Sequence, residues 1–294
     1  MGFLAYLAIC VFWGLSSIAT KLGLSGIEPF TFSFLRFFIT GIILLIYNLA
    51  KHKSILLSRK DFWVITISST SMYFLNSVFM MFATKRLDAG IVPILFALVP
   101  VVMVVLETIL QRKMLVGLPG MIGILGGIVG IVIVSIGDAT AGSIDMMGLI
   151  LMGFGVLSWA GGSIYLKNKK IATSVSVLLM YQTLVPLAFY TMLIIFNGGP
   201  EIFDGNLLSI GGALYMAIVD TLIGSACYIF LLKIWNVSVV STYAYINPVV
   251  ALIGSYFILG ESITVQKFVG MIVILFAVFL IQKDSTNRAK LAKA

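Results

Sequence analysis

Charge is the scarcest commodity in this sequence. Of 294 residues only 10% are charged, 19 Lys or Arg against 11 Asp or Glu, where a soluble domain carries about a quarter. A single histidine, His52, and two cysteines, Cys10 and Cys227, are too few for a metal cluster or a disulfide framework. His52 lies in a basic gap, where a solvated side chain is the plain reading, and both cysteines lie inside apolar runs, which makes them packing residues. No Gly-Lys dipeptide occurs from which a phosphate-cradling loop could be built, so the chain holds no ATP-driven pump of that kind. The acidic residues are scattered and no nucleophile stands near a base in sequence, so enzyme chemistry and a resident cofactor are not expected. The net charge of +8 does not signal nucleic acid either, because the basic residues fall in short gaps between apolar runs and mark topology.

What is present in excess is apolar surface. Hydrophobic residues make up 61% of the chain and the mean hydropathy is +1.14, more than one globular core of this size can hide. Lipid is therefore the expected solvent. A membrane barrel would show strands of about ten residues with alternating polarity. Here the runs are about 20 residues long and do not alternate, which is the length of a spanning helix. They predict ten helices near residues 3–24, 29–49, 62–83, 89–110, 117–136, 147–166, 174–196, 208–232, 238–259 and 266–282. The opening MGFLAYLAIC has no charged leader and no small-residue cleavage pattern, so the first helix is expected to be retained. With the N-terminus placed inside, 14 of the 19 basic residues fall on the inner side, Lys85, Arg86 and Lys267 fall outside, and Lys21 and Arg36 lie within spans. The positive-inside rule then puts both termini in the cytoplasm of a cell-membrane protein.

Three fragments recur in order. Trp13-x3-Ser17-Ile18-x2-Lys21 returns from Trp159 to Lys167, Lys85-x6-Val92-x7-Pro100-Val101-Val102 returns from Lys233 to Val250, and Gly120-Met121-Ile122 returns at Gly270. The offsets are 146, 148 and 150. A duplicated unit of five helices has an odd number of crossings, so its second copy must be inverted in the membrane. The expected fold is thus all-α and integral to the membrane, ten transmembrane helices as two inverted five-helix repeats, residues 1–137 and 146–294, the second ending in a short cytoplasmic tail. Such folds suit alternating access around a midplane site.

These motifs resemble the drug/metabolite transporter superfamily, in particular its members with two EamA-type domains. The resemblance spans nearly the whole chain and rests on Phe12-Trp13-Gly14 with Lys21, on Pro100 and Pro248, and on Leu259-Gly260-Glu261 followed by Gly270. Counting back from Gly120 lands on Gln111 where the second half has Glu261, a departure from the pattern. The resemblance implies secondary transport of amino acids, other metabolites, nucleotide sugars, drugs or quaternary amines, usually coupled to protons or exchange.

Polar and aromatic residues inside apolar helices supply the candidate site. Trp13 and Ser17 share a helix face, as do Trp159 and Ser163, and Tyr73 and Asn76 are three apart. On the ninth span Ser241 and Tyr245 lie on one face and Tyr243 and Asn247 on the next. Each can line a substrate cavity or join helices by hydrogen bonds. Asp220 sits mid-span, too deep for its short side chain to reach water, and is the expected site of proton or cation coupling, with Tyr228 two turns further along the same helix. The alternative is that Asp220 merely pairs with Arg36. Arg36 lies seven residues from Pro29, on the order of 10 Å deep, and either snorkels or holds an anionic group. Pro100 and Pro248 are the expected hinges. Glu261 is expected to make a structural contact, capping the helix that follows it, and Glu107 to pair with Arg112 or Lys113. Trp63 and Trp235 are expected at the membrane interface. Gly120, Gly123, Gly126, Gly127 and Gly130 offer one face for close packing or dimerisation. The expected cargo is amino acid-like, with a choline-like quaternary amine or a drug as the alternative, because tryptophan and tyrosine rings can also box a cation. A non-transporting membrane protein is the remaining class.

Overall fold

A computed structural model describes residues 1–112, 117–138, 145–169, 171, 173–202, 204, 206–235 and 243–291. Among them the chain is helical throughout, with no strand beyond an isolated bridge between Ile27 and Ile202. Ten apolar helices follow one another: α1 Gly2–Gly23, α2 Pro29–Ala50, α3 Arg59–Arg86, α4 Ile91–Gln111, α5 Leu118–Ser135, α6 Met146–Lys167, α7 Val175–Phe196, α8 Leu207–Tyr228, α9 Tyr243–Leu259 and α10 Val265–Asp284. All but α9 are long and apolar enough to span a bilayer unaided. The described part of α9 begins where residues 236–242 leave off, and Ser241 lies outside the described residues. Large apolar side chains such as Phe3, Leu125, Ile195 and Phe257 point outward. Water would penalise that surface and lipid does not, so the molecule is an integral membrane protein.

Local sequence explains the helix starts. Ser58 and Asn206, at the heads of α3 and α8, accept the N–H of Asp61 and Ser209, and Glu28 accepts the N–H of Thr31 ahead of α2, whose first residue is proline. The helices then pack across the halves in matched pairs: α1 on α8 and α9, α6 on α3 and α4, α2 on α7, and α5 on α10. Each partner of α1 is five helices away from a partner of α6, as a twofold duplication requires. α5 and α10 run antiparallel with little between them. A Cβ on Gly130 would lie 2.5 Å from Ile274 and one on Gly123 2.7 Å from the Ala277 carbonyl, so the glycine face predicted to pack or dimerise is filled from within the chain by α10.

Two features were not expected from hydropathy. α3 and α8 both widen into a π-helical stretch near their middles, Thr70–Leu75 and Tyr215–Gly224, a geometry common at functional sites. The two prolines named as hinges also differ from each other. α4 is interrupted at Ala97 and Leu98 with Pro100 in the first turn of the second piece, whereas Pro248 is buried inside an unbroken α9.

Candidate functional site

The widened turn of α8 is where the polar groups meet. A π turn adds a residue and loosens the regular ladder, so carbonyls on its surface can accept from neighbouring helices. Thr40 on α2 donates its hydroxyl to the Ala217 carbonyl at 2.8 Å, and the indole Nε1 of Trp13 on α1 donates to the Asp220 carbonyl at 3.0 Å. The Thr221 hydroxyl reaches back to Met216, five residues earlier, at 2.7 Å. That brings Asp220 and Thr221 toward α2.

There Arg36 crosses from the second helix to meet them. Its Nη2 donates to Asp220 Oδ2 at 2.8 Å and its Nε to the Thr221 hydroxyl at 2.9 Å. The ion pair is monodentate, with the two side chains 19% and 11% exposed. A guanidinium carries five N–H donors, and among the described residues two of them find polar partners, so part of its capacity is unspent. Arg36 therefore does not merely snorkel, and its pairing with Asp220 is the partnership that sequence offered as the plainer alternative to coupling.

Aromatic rings flank the pair on both sides. Trp13 lies 5.4 Å from Tyr228 and 4.9 Å edge-on from Tyr243, and those two tyrosines are 5.9 Å apart. Gly224 makes this possible, since a Cβ there would sit 2.4 Å from the Trp13 indole nitrogen. The duplicated tryptophan builds a second group, with Trp159 5.7 Å from Tyr73 and 5.9 Å from Phe96, and Tyr73 in turn 6.4 Å from Phe37, next to Arg36. The structure so brings Trp13, Arg36, Asp220, Tyr228 and Tyr243 together, with Tyr73 and Trp159 in an adjoining cluster.

The remaining candidates are engaged in packing. Asn76 donates to the Gly155 carbonyl at 2.9 Å and joins α3 to α6. Ser163 donates to the Trp159 carbonyl within its own helix, and Tyr245 donates to Gln282 on α10. Ser17 is buried, 5% exposed, and its hydroxyl has no hydrogen-bond partner among the described residues. Thr40 and Thr221, which hold the ion pair's backbone, were missed by the sequence reading. Their signal was present as threonines one and four residues from the two charges.

A second charged group lies at the end of the molecule where α1, α3 and α9 finish. Lys21 Nζ donates to Glu261 Oε1 at 2.7 Å and to the Leu87 carbonyl at 3.2 Å, and lies 3.9 Å from Asp88. Asp88 also pairs with Lys267, whose side chain is 3% exposed. Glu261 accepts the N–H groups of Ala89 and Gly90, at 2.8 and 3.1 Å. It does make the expected structural contact, but at the head of α4 and not of the α10 that follows it. Among the described residues Glu107 bonds Lys167 on α6 at 3.0 Å, a partner distant in sequence, while Lys113 lies outside the described residues. Trp235 packs on Tyr6 near the start of α1, with centroids 5.6 Å apart. Trp63 is 54% exposed at its span end, as an interface residue should be.

Ten apolar helices exchanged between two halves around a buried ion pair define a duplicated helical membrane protein of the transporter class. The EamA-like transporter family matches residues 1–136 and 146–282, and the chain belongs to that family. It is 28% identical over 295 residues, covering 95% of this chain and 93% of the relative, to a probable amino-acid metabolite efflux pump of Salmonella typhimurium. It is 25% identical to the inner membrane transporter YedA of Escherichia coli, covering 94% of this chain and 89% of the relative. A solved crystal structure is similar over 97% of this chain and 98% of its own, with a TM-score of 0.65 at 17% identity, a likeness of fold. The chain is thus a membrane transporter of EamA type with a small-molecule substrate, and not an enzyme.

Proposed function

We propose that this protein is a secondary carrier of small zwitterionic metabolites, amino acids first among them, working by alternating access between two repeats bounded near residues 137 and 146. The observation that carries this reading is the Arg36–Asp220 pair in mid-membrane. Charges are costly at that depth and are kept where they handle ions or charged cargo. Asp220 is the coupling residue of the proposal, the place where a proton or a substrate cation answers its charge. Arg36 is the contact for a carboxylate, and Trp13, Tyr73, Trp159, Tyr228 and Tyr243 form the walls. Ser17 lends its unpartnered hydroxyl. Asn76, Ser163 and Tyr245 stand further from the substrate and set the helices around it. Pro100 and Pro248 are the proposed points of bending.

The name of the Salmonella typhimurium relative supports amino acid cargo. A quaternary amine of choline type is favoured by a different observation, the three rings of Trp13, Tyr228 and Tyr243, whose faces can attract a cation. Uptake of radiolabelled neutral amino acids and of choline into proteoliposomes of the purified protein separates the two. Saturable amino acid uptake that choline does not inhibit is expected. Uptake of choline alone would replace this reading with the second one.

A further inference from the structure

Charge balance at the ion pair restricts the cargo further, and this step rests on the carrier reading above. In the state described, Arg36 and Asp220 neutralise each other through one oxygen and one nitrogen. Arg36 has unspent donors, and among the described residues none donates to the other carboxylate oxygen of Asp220. We infer that a zwitterionic substrate enters between these two side chains, its carboxylate on Arg36 and its ammonium on Asp220, replacing one ion pair with two.

The local net charge is then zero with the site empty and zero with it filled. In a low-dielectric interior that equality matters, because an uncompensated charge there is far costlier than any neutral arrangement. An amine without a carboxylate leaves Arg36 uncompensated. A carboxylate without an amine leaves Asp220 uncompensated unless it takes up a proton. The groups facing Asp220 are Arg36 from α2, Tyr73 from α3, the Trp13 indole from α1 and, on its own helix, Thr221 and Tyr215. None of them other than Arg36 carries a permanent charge, so the proton has no other acidic site to occupy. The two side chains are therefore specificity-determining residues that select by charge pattern, while the rings around them select by shape.

Aligning the two halves strengthens the assignment. At the offset of 146 that relates Trp13 to Trp159, Arg36 corresponds to Gln182, and the second repeat carries no basic residue at that place. The duplication thus provides the scaffold twice and the guanidinium once, as a single asymmetric substrate requires.

Three matched probes test this: leucine, its deaminated acid 4-methylpentanoate, and its decarboxylated amine 3-methylbutylamine, each measured by counterflow in proteoliposomes. The wild-type protein should prefer leucine to either by about 10⁴-fold, as a site with buried polar groups does when an analogue lacks their partner. Asp220→Asn should reverse the order between leucine and the acid, since Arg36 and a lone carboxylate are neutral together. Arg36→Gln should reverse it between leucine and the amine. Because a single change leaves a lone charge that can prevent folding, Arg36→Gln combined with Asp220→Asn serves as the second variant, and it should fold and lose preference for leucine over both analogues. A double variant that keeps the wild-type preference, or an Asp220→Asn carrier that still favours leucine over the acid, overturns the inference while leaving amino acid transport standing. Failure of the wild-type protein to move leucine or any other neutral amino acid overturns the carrier reading instead.

Discussion

Two aspartates of this chain show how place decides what a carboxylate does. Asp145 stands at the head of α6, where the Gly148 N–H donates to it at 2.7 Å and Arg86 at 3.1 Å. The bond from the Gly148 backbone, and then Arg86, hold this carboxyl below the usual carboxylate range. A group whose folded value is depressed adds stability above its unfolded value, about 3.9, and loses it as pH falls through the folded one. Stability should therefore decline with acid below about pH 4. Asp145→Asn should flatten that part of the curve while retaining most of the neutral-pH stability, because asparagine also caps helices well. Thermal denaturation of the detergent-solubilised protein across pH 3 to 7 measures it, and an unaltered acid slope in the variant would refute the role. Asp220 has no such access to water. Its mid-span position could be read from sequence, and so could Arg36 as one of its alternative partners and the threonine beside it, but nothing in the residue order gave the bond from Thr221 back to Met216, which depends on an extra residue in one turn of α8.

At the scale of helices, sequence is a good guide to what lipid dictates and a poor one to what neighbours dictate. The ten spans follow from hydropathy, since every apolar run must satisfy its backbone internally. The π-helical stretches of α3 and α8 leave no trace in hydropathy, because a widened turn changes hydrogen-bond register without changing composition. The glycines of α5 are an intermediate case: their spacing announces a close contact without saying with what. Packing against α10 now yields a direct expectation. At Gly130 a Cβ would meet Ile274 at 2.5 Å and the Ile274 backbone nitrogen at 3.2 Å, so Gly130→Val must push the two helices apart. Overpacking of this kind costs about 1–3 kcal/mol. Gly161 on α6 has nothing within 4 Å of such a Cβ, so Gly161→Ala should be neutral or gain about 0.5–1 kcal/mol from helix propensity. Denaturation in mixed micelles compares them, and equal losses at both sites would mean that α5 and α10 are not in this contact.

On the scale of the whole molecule, the two charged groups have different duties. The Arg36–Asp220 pair is the proposed substrate contact, whereas Lys21, Asp88, Glu261 and Lys267 join the two halves at one end. Lys21 and Asp88 belong to the first half, Glu261 and Lys267 to the second. A carrier that alternates must part its halves at each end in turn, and at this end parting them means breaking two lysine–carboxylate contacts and the bonds from Ala89 and Gly90 to Glu261. The positive-inside expectation would put this end outside the cell, with both termini in the cytoplasm. On that orientation we propose that the cluster is a latch on the outward side. Ala89 and Gly90 donate to different oxygens of Glu261, so Glu261→Gln keeps an acceptor for one of the two N–H groups while removing the charge that holds Lys21, and it should loosen the latch at the expense of one backbone bond at the head of α4. Ala89 is 0% exposed beside it. In a chain whose Cys10 and Cys227 are replaced by alanine, a cysteine in place of Ala89 should react slowly with a membrane-impermeant maleimide added from outside. Adding Glu261→Gln should speed that reaction by about tenfold, the effect of shifting the equilibrium by about 1.4 kcal/mol. Acceleration only when the reagent is sealed inside would reverse the orientation. An unchanged rate from either side would make the cluster a fixed brace, and the opening of this end would then have to come from somewhere other than these four charges.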